Sequence, residues 1–177
     1  MADVSPFPGR MRRMISYTLR SAEPRDVPAI VGLVKELAEF ENLSHLLELT
    51  EELTVEKLQL HLFGAKPVVE ALVGEIDGEV VGYALFFTNF STFLGKPGLY
   101  LEDLYVRSAH RRSGLGQGIL SRLAQIAVER DYGRFEWTVL DWNEDAIRFY
   151  ERMGAHVLPE WRICRLAGPD LQRYKKA

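Results

Sequence analysis

The chain is short of the residues that would announce several functions. It has one cysteine in 177 residues, Cys164, which excludes an internal disulfide and a cysteine metal cluster. That scarcity fits a reducing compartment, so a cytoplasmic protein is expected. The four histidines, His45, His61, His110 and His156, share no ligand spacing, and no metal site is expected. No apolar run is long enough to cross a bilayer, so no membrane partner is expected. There is no basic excess either: 22 Lys and Arg stand against 25 Asp and Glu, a net charge of −3. Nothing is left over to neutralise a phosphate backbone, which argues against a nucleic-acid binder. The first residues, MADVSPFPGRMRRM, carry Pro, Gly and three Arg but no apolar core, and read as a disordered extension over 1–14 rather than a signal peptide. Internal repeats, low-complexity segments and linkers are also missing, so residues 15–177 read as one domain.

What is present is an ordinary globular composition, 47% hydrophobic and 27% charged. YTLRSA (17–22) reads as a short strand, and Pro24, Arg25 and Asp26 open a helix to about Glu41. Ile30, Leu33, Val34, Leu37 and Phe40 keep helical spacing there. A second helix is expected over 51–63, with Leu53, Leu58 and Leu62 apolar, and the segment NLSHLLELT before it is ambiguous. The period then shortens to two. Strands are expected over 68–77 and 79–90, joined by the hairpin signal Asp77-Gly78. The second is apolar on both faces and should be central. A strand over 98–106, a helix over 114–130 ended by Gly133, and a strand over 134–140 follow. The apolar stripe of that helix is Ile119, Leu120, Leu123, Ala127 and Val128. Asn143 should cap a last helix, EDAIRFYERM, stopped by Gly154, and strands near 155–158 and 161–166 should close the chain. Cys164 would then be a buried strand residue.

Between a strand and a helix stands HRRSGLGQGIL (110–120), with glycines at 114, 116 and 118. The spacing G-x-G-x-G is not the dinucleotide fingerprint G-x-G-x-x-G, and no Gly-Lys-Ser/Thr follows as in a P-loop. Two readings survive: a plain tight turn, or a loop whose N–H groups close on a pyrophosphate at a helix N-terminus. Arg111 and Arg112 would add charge for a further phosphate.

Arg111-x-x-Gly114-x-Gly116 in that position resembles the coenzyme A loop of the GNAT acetyltransferase superfamily. YLEDLYV (100–106), RRSGLGQGIL (111–120), VLDWNEDAIRFYERMGA (139–155) and KELAEFE (35–41) are similar to the spermidine/spermine (diamine) and thialysine N-acetyltransferase branch. The resemblance implies a mixed α/β fold in the order β-α-α-β-β-β-α-β-α-β(-β). Its central sheet would be mostly antiparallel, with one splayed parallel strand pair. It implies acetyl-CoA as cosubstrate, a small amine as partner, direct attack in a ternary complex, and a homodimer. The rival readings are an acetyltransferase for protein amino groups and a coenzyme-A-binding sensor without catalysis.

The chemistry is attack of a neutral amine on a thioester. An aliphatic ammonium titrates near 10.4, so only about one molecule in a thousand is reactive at pH 7 without a base. Glu102 and Asp103 are the candidate bases, and on a regular strand they face opposite ways, so only one reaches the substrate unless a bulge intervenes. The resemblance favours Glu102, acting through water and binding the cationic amine, and leaves Asp103 structural. Tyr150 lies seven residues, two helical turns, after Asn143. It matches the family's general acid beside the coenzyme sulfur. By the same resemblance Leu104, Tyr105 and Val106 polarise the carbonyl and pair with the pantetheine. Arg111, Arg112, Ser113, Gly114, Leu115, Gly116 and Gln117 wrap the pyrophosphate. Asn143, Glu144, Asp145 and Ala146 meet the coenzyme arm. Glu41 and Glu102 match acidic substrate positions, and Phe40 stands where a tyrosine is common. Trp142 either walls the amine site or fills core. Glu36, Glu39, Glu51 and Glu52 read as solvated helix faces.

Overall fold

A computed structural model of the chain describes residues 16–44 and 51–175. The extension over 1–14 and most of the ambiguous segment before the second helix lie outside the described residues. The chain divides into two compact units, residues 1–138 and 139–177.

The first unit is a five-stranded sheet in the order β1-β2-β3-β4-β5. Its strands are β1 (Thr18–Ser21), β2 (Glu70–Ile76), β3 (Glu79–Ser91), β4 (Lys96–Val106) and β5 (Phe135–Trp137). Neighbours are antiparallel except β4 and β5, which pair in parallel. β3 is central, as its two apolar faces require. The hairpin before it is the mirror-image turn: Asp77 and Gly78 both take positive φ, 52° and 80°. On one face lie α1 (Val27–Phe40) and α2 (Glu51–Phe63), and on the other α3 (Leu115–Glu129). Val27, Ile30, Val31 and Leu33 of α1 and Leu62 of α2 pack with Ala71, Val73, Tyr83, Leu85 and Tyr105 of the sheet. The opposite face must be flat under Leu115, and a Cβ at Gly74 would fall 2.5 Å from its Cδ1.

Arg20 fixes how α1 leaves the sheet. Its guanidinium spans Asp26, at 2.6 and 2.9 Å, and Glu75 of β2, at 3.1 Å. Asp26 also accepts the backbone N–H of Glu23 at 2.7 Å. α1 ends in a Schellman turn with Asn42 left-handed, and α3 ends the same way with Asp131 in that role. The stop at α3 is therefore Asp131 rather than the expected Gly133. The apolar stripe of α3 also differs: Val128 is exposed, and Leu115 and Ile126 are buried instead. Val128 lies just past the row set by Ile119, Leu123 and Ile126.

The second unit contains α4 (Glu144–Arg152) and a short α5 (Gly168–Gln172). The strands expected over 155–158 and 161–166 do not form, because no ladder partner exists for them among the described residues. Cys164 is accordingly exposed rather than a buried strand residue.

Candidate active site

The three glycines of the loop between β4 and α3 have three different reasons. Gly114 caps α3 with φ +91°, a conformation that L side chains rarely adopt. Gly116 has no crowding: a Cβ there would meet nothing nearer than Val106 Cγ2 at 3.8 Å. Space above the first turn of α3, where N–H groups lack helical partners, is thus open to an oxygen of a ligand. Gly118 is not part of an anion cradle. A Cβ at this position would fall 2.5 Å from the hydroxyl of Tyr17, so this glycine admits a ring. Arg112 is exposed and left-handed at φ 66°, and Ser113 Oγ accepts the N–H of Leu115 at 3.3 Å. The donors present fit a diphosphate.

The strand leading into the loop carries a β-bulge. Pairing with β3 passes from Leu85↔Asp103 to Phe86↔Leu101, so Glu102 opposes no residue. Asp103, Tyr105 and their partners Leu85 and Tyr83 lie on the α1 face. Leu99, Leu101, Leu104 and Val106 share the α3 face. Glu102 is exposed and Asp103 partly buried, its Oδ2 accepting the hydroxyl of fully buried Tyr83 at 3.3 Å. Burial first, then the charges of Glu102 and Glu41, push Asp103 up to about 6, while the Tyr83 hydroxyl pulls the other way. Burial also raises Glu41 at the end of α1. Burial and the negative charges of Asp103 and Glu41 raise Tyr83 well above the ordinary phenol range. Glu41, Glu102 and Asp103 therefore share one electrostatic neighbourhood.

The β4–β5 ladder holds only Leu99↔Phe135, Tyr100↔Glu136 and Leu101↔Trp137. Beyond Leu101 that edge of β4 has no strand against it among the described residues. This is the stretch, Leu104 to Val106, where a thioester carbonyl and pantetheine amides were expected. Arg111 is turned back onto it: its Nε donates to the Val106 carbonyl at 3.2 Å. Its guanidinium lies 4.5 Å from the Phe40 ring centre and 5.5 Å from that of Tyr105. Phe40 is thus a platform for the loop arginine at the end of α1, next to Glu41. Glu36 is not a solvated helix face. It accepts Arg107 Nε at 3.0 Å and the Tyr105 hydroxyl at 3.4 Å, tying α1 to β4. Glu39 is exposed as expected, and the side chains of Glu51 and Glu52 lie outside the described residues.

In the second unit Asn143 caps α4, its Oδ1 accepting the N–H of Ala146 at 3.2 Å. Glu144 and Asp145 hold Arg148 at 2.9 and 2.7 Å. Gly154 ends the helix in a Schellman turn at φ +90°, with Ala155 N–H donating to the Tyr150 carbonyl at 3.1 Å. The Tyr150 ring lies 5.3 Å from that of Phe149. Trp142 is 51% exposed, so within its unit it does not fill core. Among the described residues no group of three or more His, Cys, Asp or Glu could hold a metal ion, and no helix is long and apolar enough to cross a membrane.

Sequence reasoning missed Tyr83, and of the two candidate bases it left Asp103, which takes the Tyr83 hydrogen bond, as structural. A signal existed. Apolar positions run Leu99, Leu101 and then Leu104, Val106, an odd-to-even change that keeps one face only if a residue is inserted between them.

The acetyltransferase (GNAT) family pattern matches residues 34–155. The chain is 36% identical over 209 residues to the L-ornithine N5-acetyltransferase NATA1 of Arabidopsis thaliana, covering 93% of this chain and 90% of that one. It is 37% identical over 170 residues to the thialysine N-epsilon-acetyltransferase of Mus musculus, covering 90% and 97%. In fold it is similar to an integron cassette protein from the mobile metagenome of V. cholerae, with TM-score 0.78, 24% identity, and coverage of 92% and 99%.

Proposed function

The chain belongs to the acetyltransferase (GNAT) family and is an N-acetyltransferase, and from that premise we propose that it moves the acetyl group of acetyl-CoA to a primary amine of a small polyamine, diamine or lysine-like substrate by direct attack in a ternary complex. The observation that supports the amine half is the set of carboxylates at the bulge. The charges of Glu102 and of Glu41, at the end of α1, both bear on Asp103 of β4, and with its burial they push its carboxyl up. Like charges brought together in partial burial are costly unless a cation comes between them. An ammonium group supplies that cation.

The coenzyme half draws on the open first turn of α3, with Arg112, Ser113 and the N–H groups of Gly116 and Gln117 as its diphosphate donors. When bound, acetyl-CoA supplies a thioester carbon for attack. The free edge of β4 from Leu104 to Val106 offers main-chain N–H groups to the developing oxyanion. Glu41 and Glu102 gather the ammonium, and its proton leaves through the carboxylates of the bulge, of which the family resemblance names Glu102. The family resemblance also assigns Phe40 and Trp142 to the amine and Tyr150, as proton donor, to the departing thiolate. Asn143, Glu144, Asp145 and Ala146 belong to the coenzyme arm. The sequence reading of residues 15–177 as a single N-acetyltransferase domain is kept here, in the cytoplasm and as a homodimer, and sedimentation of the purified protein tests that last assignment.

The reaction is tested by mixing the protein with acetyl-CoA and single amines while following free thiol. L-ornithine, thialysine and spermidine should release thiol in proportion to acetylated product. A peptide with a free N-terminal alanine should not. Release with the peptide alone would move the activity to protein amino groups. Coenzyme-induced thermal stabilisation without release for any acceptor would mean a sensor.

A further inference from the structure

We propose that Asp103, oriented by the hydroxyl of Tyr83, is the group that takes the proton from the attacking amine, with Tyr83 as its positioning residue. This rests on the amine acetyltransferase reading above and deepens it, since it moves the base from the residue that the family resemblance names to its neighbour.

Geometry separates the two carboxylates. Glu102 is the inserted residue of the bulge, opposite nothing on β3 and exposed. Exposed in this way, Glu102 is placed to meet an arriving cation. Asp103 is instead in register with Leu85, on the face covered by α1. Its partner Tyr83 is 0% exposed and packed among Val27, Ile30, Val31 and Leu33 of α1. A phenol so deeply buried needs an acceptor, and Asp103 Oδ2 at 3.3 Å supplies it. The hydrogen bond fixes Oδ2, and Oδ1 is the oxygen assigned to the substrate.

Electrostatics agree with the geometry. The groups acting on Asp103 are Glu41 at the end of α1, Glu102 beside it on β4, and the Tyr83 hydroxyl on β3; Tyr105, also on β4, acts on Tyr83. Two of the three groups that act on Asp103 are negative and the third is a neutral donor. A carboxylate in partial burial beside two like charges stores free energy that a cationic ligand releases. It also titrates at about 6, close to where a general base works best.

The proton balance is as follows. The ammonium gives one proton to Asp103. The freed nitrogen lone pair forms the C–N bond to the thioester carbon, and the C–S bond breaks with its electron pair on sulfur. Loss of the second nitrogen proton is matched by protonation of the thiolate. Asp103 then returns its proton to solvent past exposed Glu102. In sum, ammonium and thioester become amide, thiol and one proton.

The test is kcat/KM against pH for the full chain and for Tyr83→Phe, Asp103→Asn and Glu102→Gln. The acceptor is whichever of L-ornithine, thialysine and spermidine the unaltered protein uses fastest. Tyr83→Phe removes a hydrogen bond to the charged form, so the acidic limb should move up by about one pH unit, with turnover recovered at higher pH. Glu102→Gln removes a repelling charge and should move the limb down while raising KM. Asp103→Asn should lower kcat by roughly 10²–10⁴-fold and abolish the limb. Coenzyme A should still raise the melting temperature of all three. A limb that stays in place in Tyr83→Phe, or one abolished by Glu102→Gln, overturns the assignment. If Asp103→Asn does not fold, the opposite shifts of the other two decide. Absence of transfer by the unaltered protein is a different failure, that of the reaction itself, and shows before any variant is made.

Discussion

Asn in place of Asp26 gives the sharpest stability test of how this fold sets its site. Asp26 closes the first turn leading into α1, and α1 carries Glu36, Phe40 and Glu41 to the bulge. Its side chain is 5% exposed and accepts three hydrogen bonds, two from Arg20 and one from the Glu23 backbone. Removing one partner of a buried ion pair costs about 3–5 kcal/mol. Here Arg20 is 23% exposed and keeps Glu75, so water and the second carboxylate recover part of that. The expected loss is about 2–3 kcal/mol at pH 7, which for a chain of this length lowers Tm by about 4–12 °C. Urea unfolding should show a lower midpoint with an unchanged slope. The pH dependence gives a second check. The Arg20 guanidinium holds the Asp26 carboxyl below its ordinary range. Its stabilisation is therefore complete above the unfolded-state value, near 3.9, and is lost as pH falls through the lower folded-state value. The gap between the two proteins should stay open at pH 5 and close only in strong acid. Equal stability at pH 7, or a gap already closed at pH 5, refutes the claim that this ion pair anchors α1.

Gly114→Ala must hold an alanine at φ +91°, at a cost of about 1–2 kcal/mol; if that conformation is what binds the diphosphate, calorimetry should show coenzyme A affinity about 5–30-fold weaker, and an unchanged Kd removes the cap from the binding loop. Tyr150→Phe should lower kcat much more than it weakens coenzyme binding, and unaltered turnover in a stopped-flow thiol assay would remove Tyr150 from the acid role.

Much of the architecture was legible before any coordinates. Asp77-Gly78 fixes a hairpin because two positive φ angles suit few other pairs. The double-sided apolar run of β3 can only be central. Asn143 and Gly154 bracket α4 because each end of a helix needs a particular chemistry. These are local rules, satisfied within a few residues. Pairing across distance was not legible. The strands expected after Gly154 have suitable composition, but a strand exists only with a ladder partner, and composition names none. Glu36 and Glu39 look alike in the sequence. One meets Arg107 across 71 positions of chain and the other meets water.

The amino-acid order by itself determined that a glycine-bearing turn would join an acidic strand to a helix, since backbone conformations and alternation are written residue by residue. Only the tertiary structure decided which acid of that strand turns inward. One inserted residue at Glu102 shifts the register against β3, brings Asp103 beneath Tyr83 and within the field of Glu41, and so changes a titration that no stretch of sequence contains. Side-chain facing depends on register, and register is settled by neighbours far along the chain.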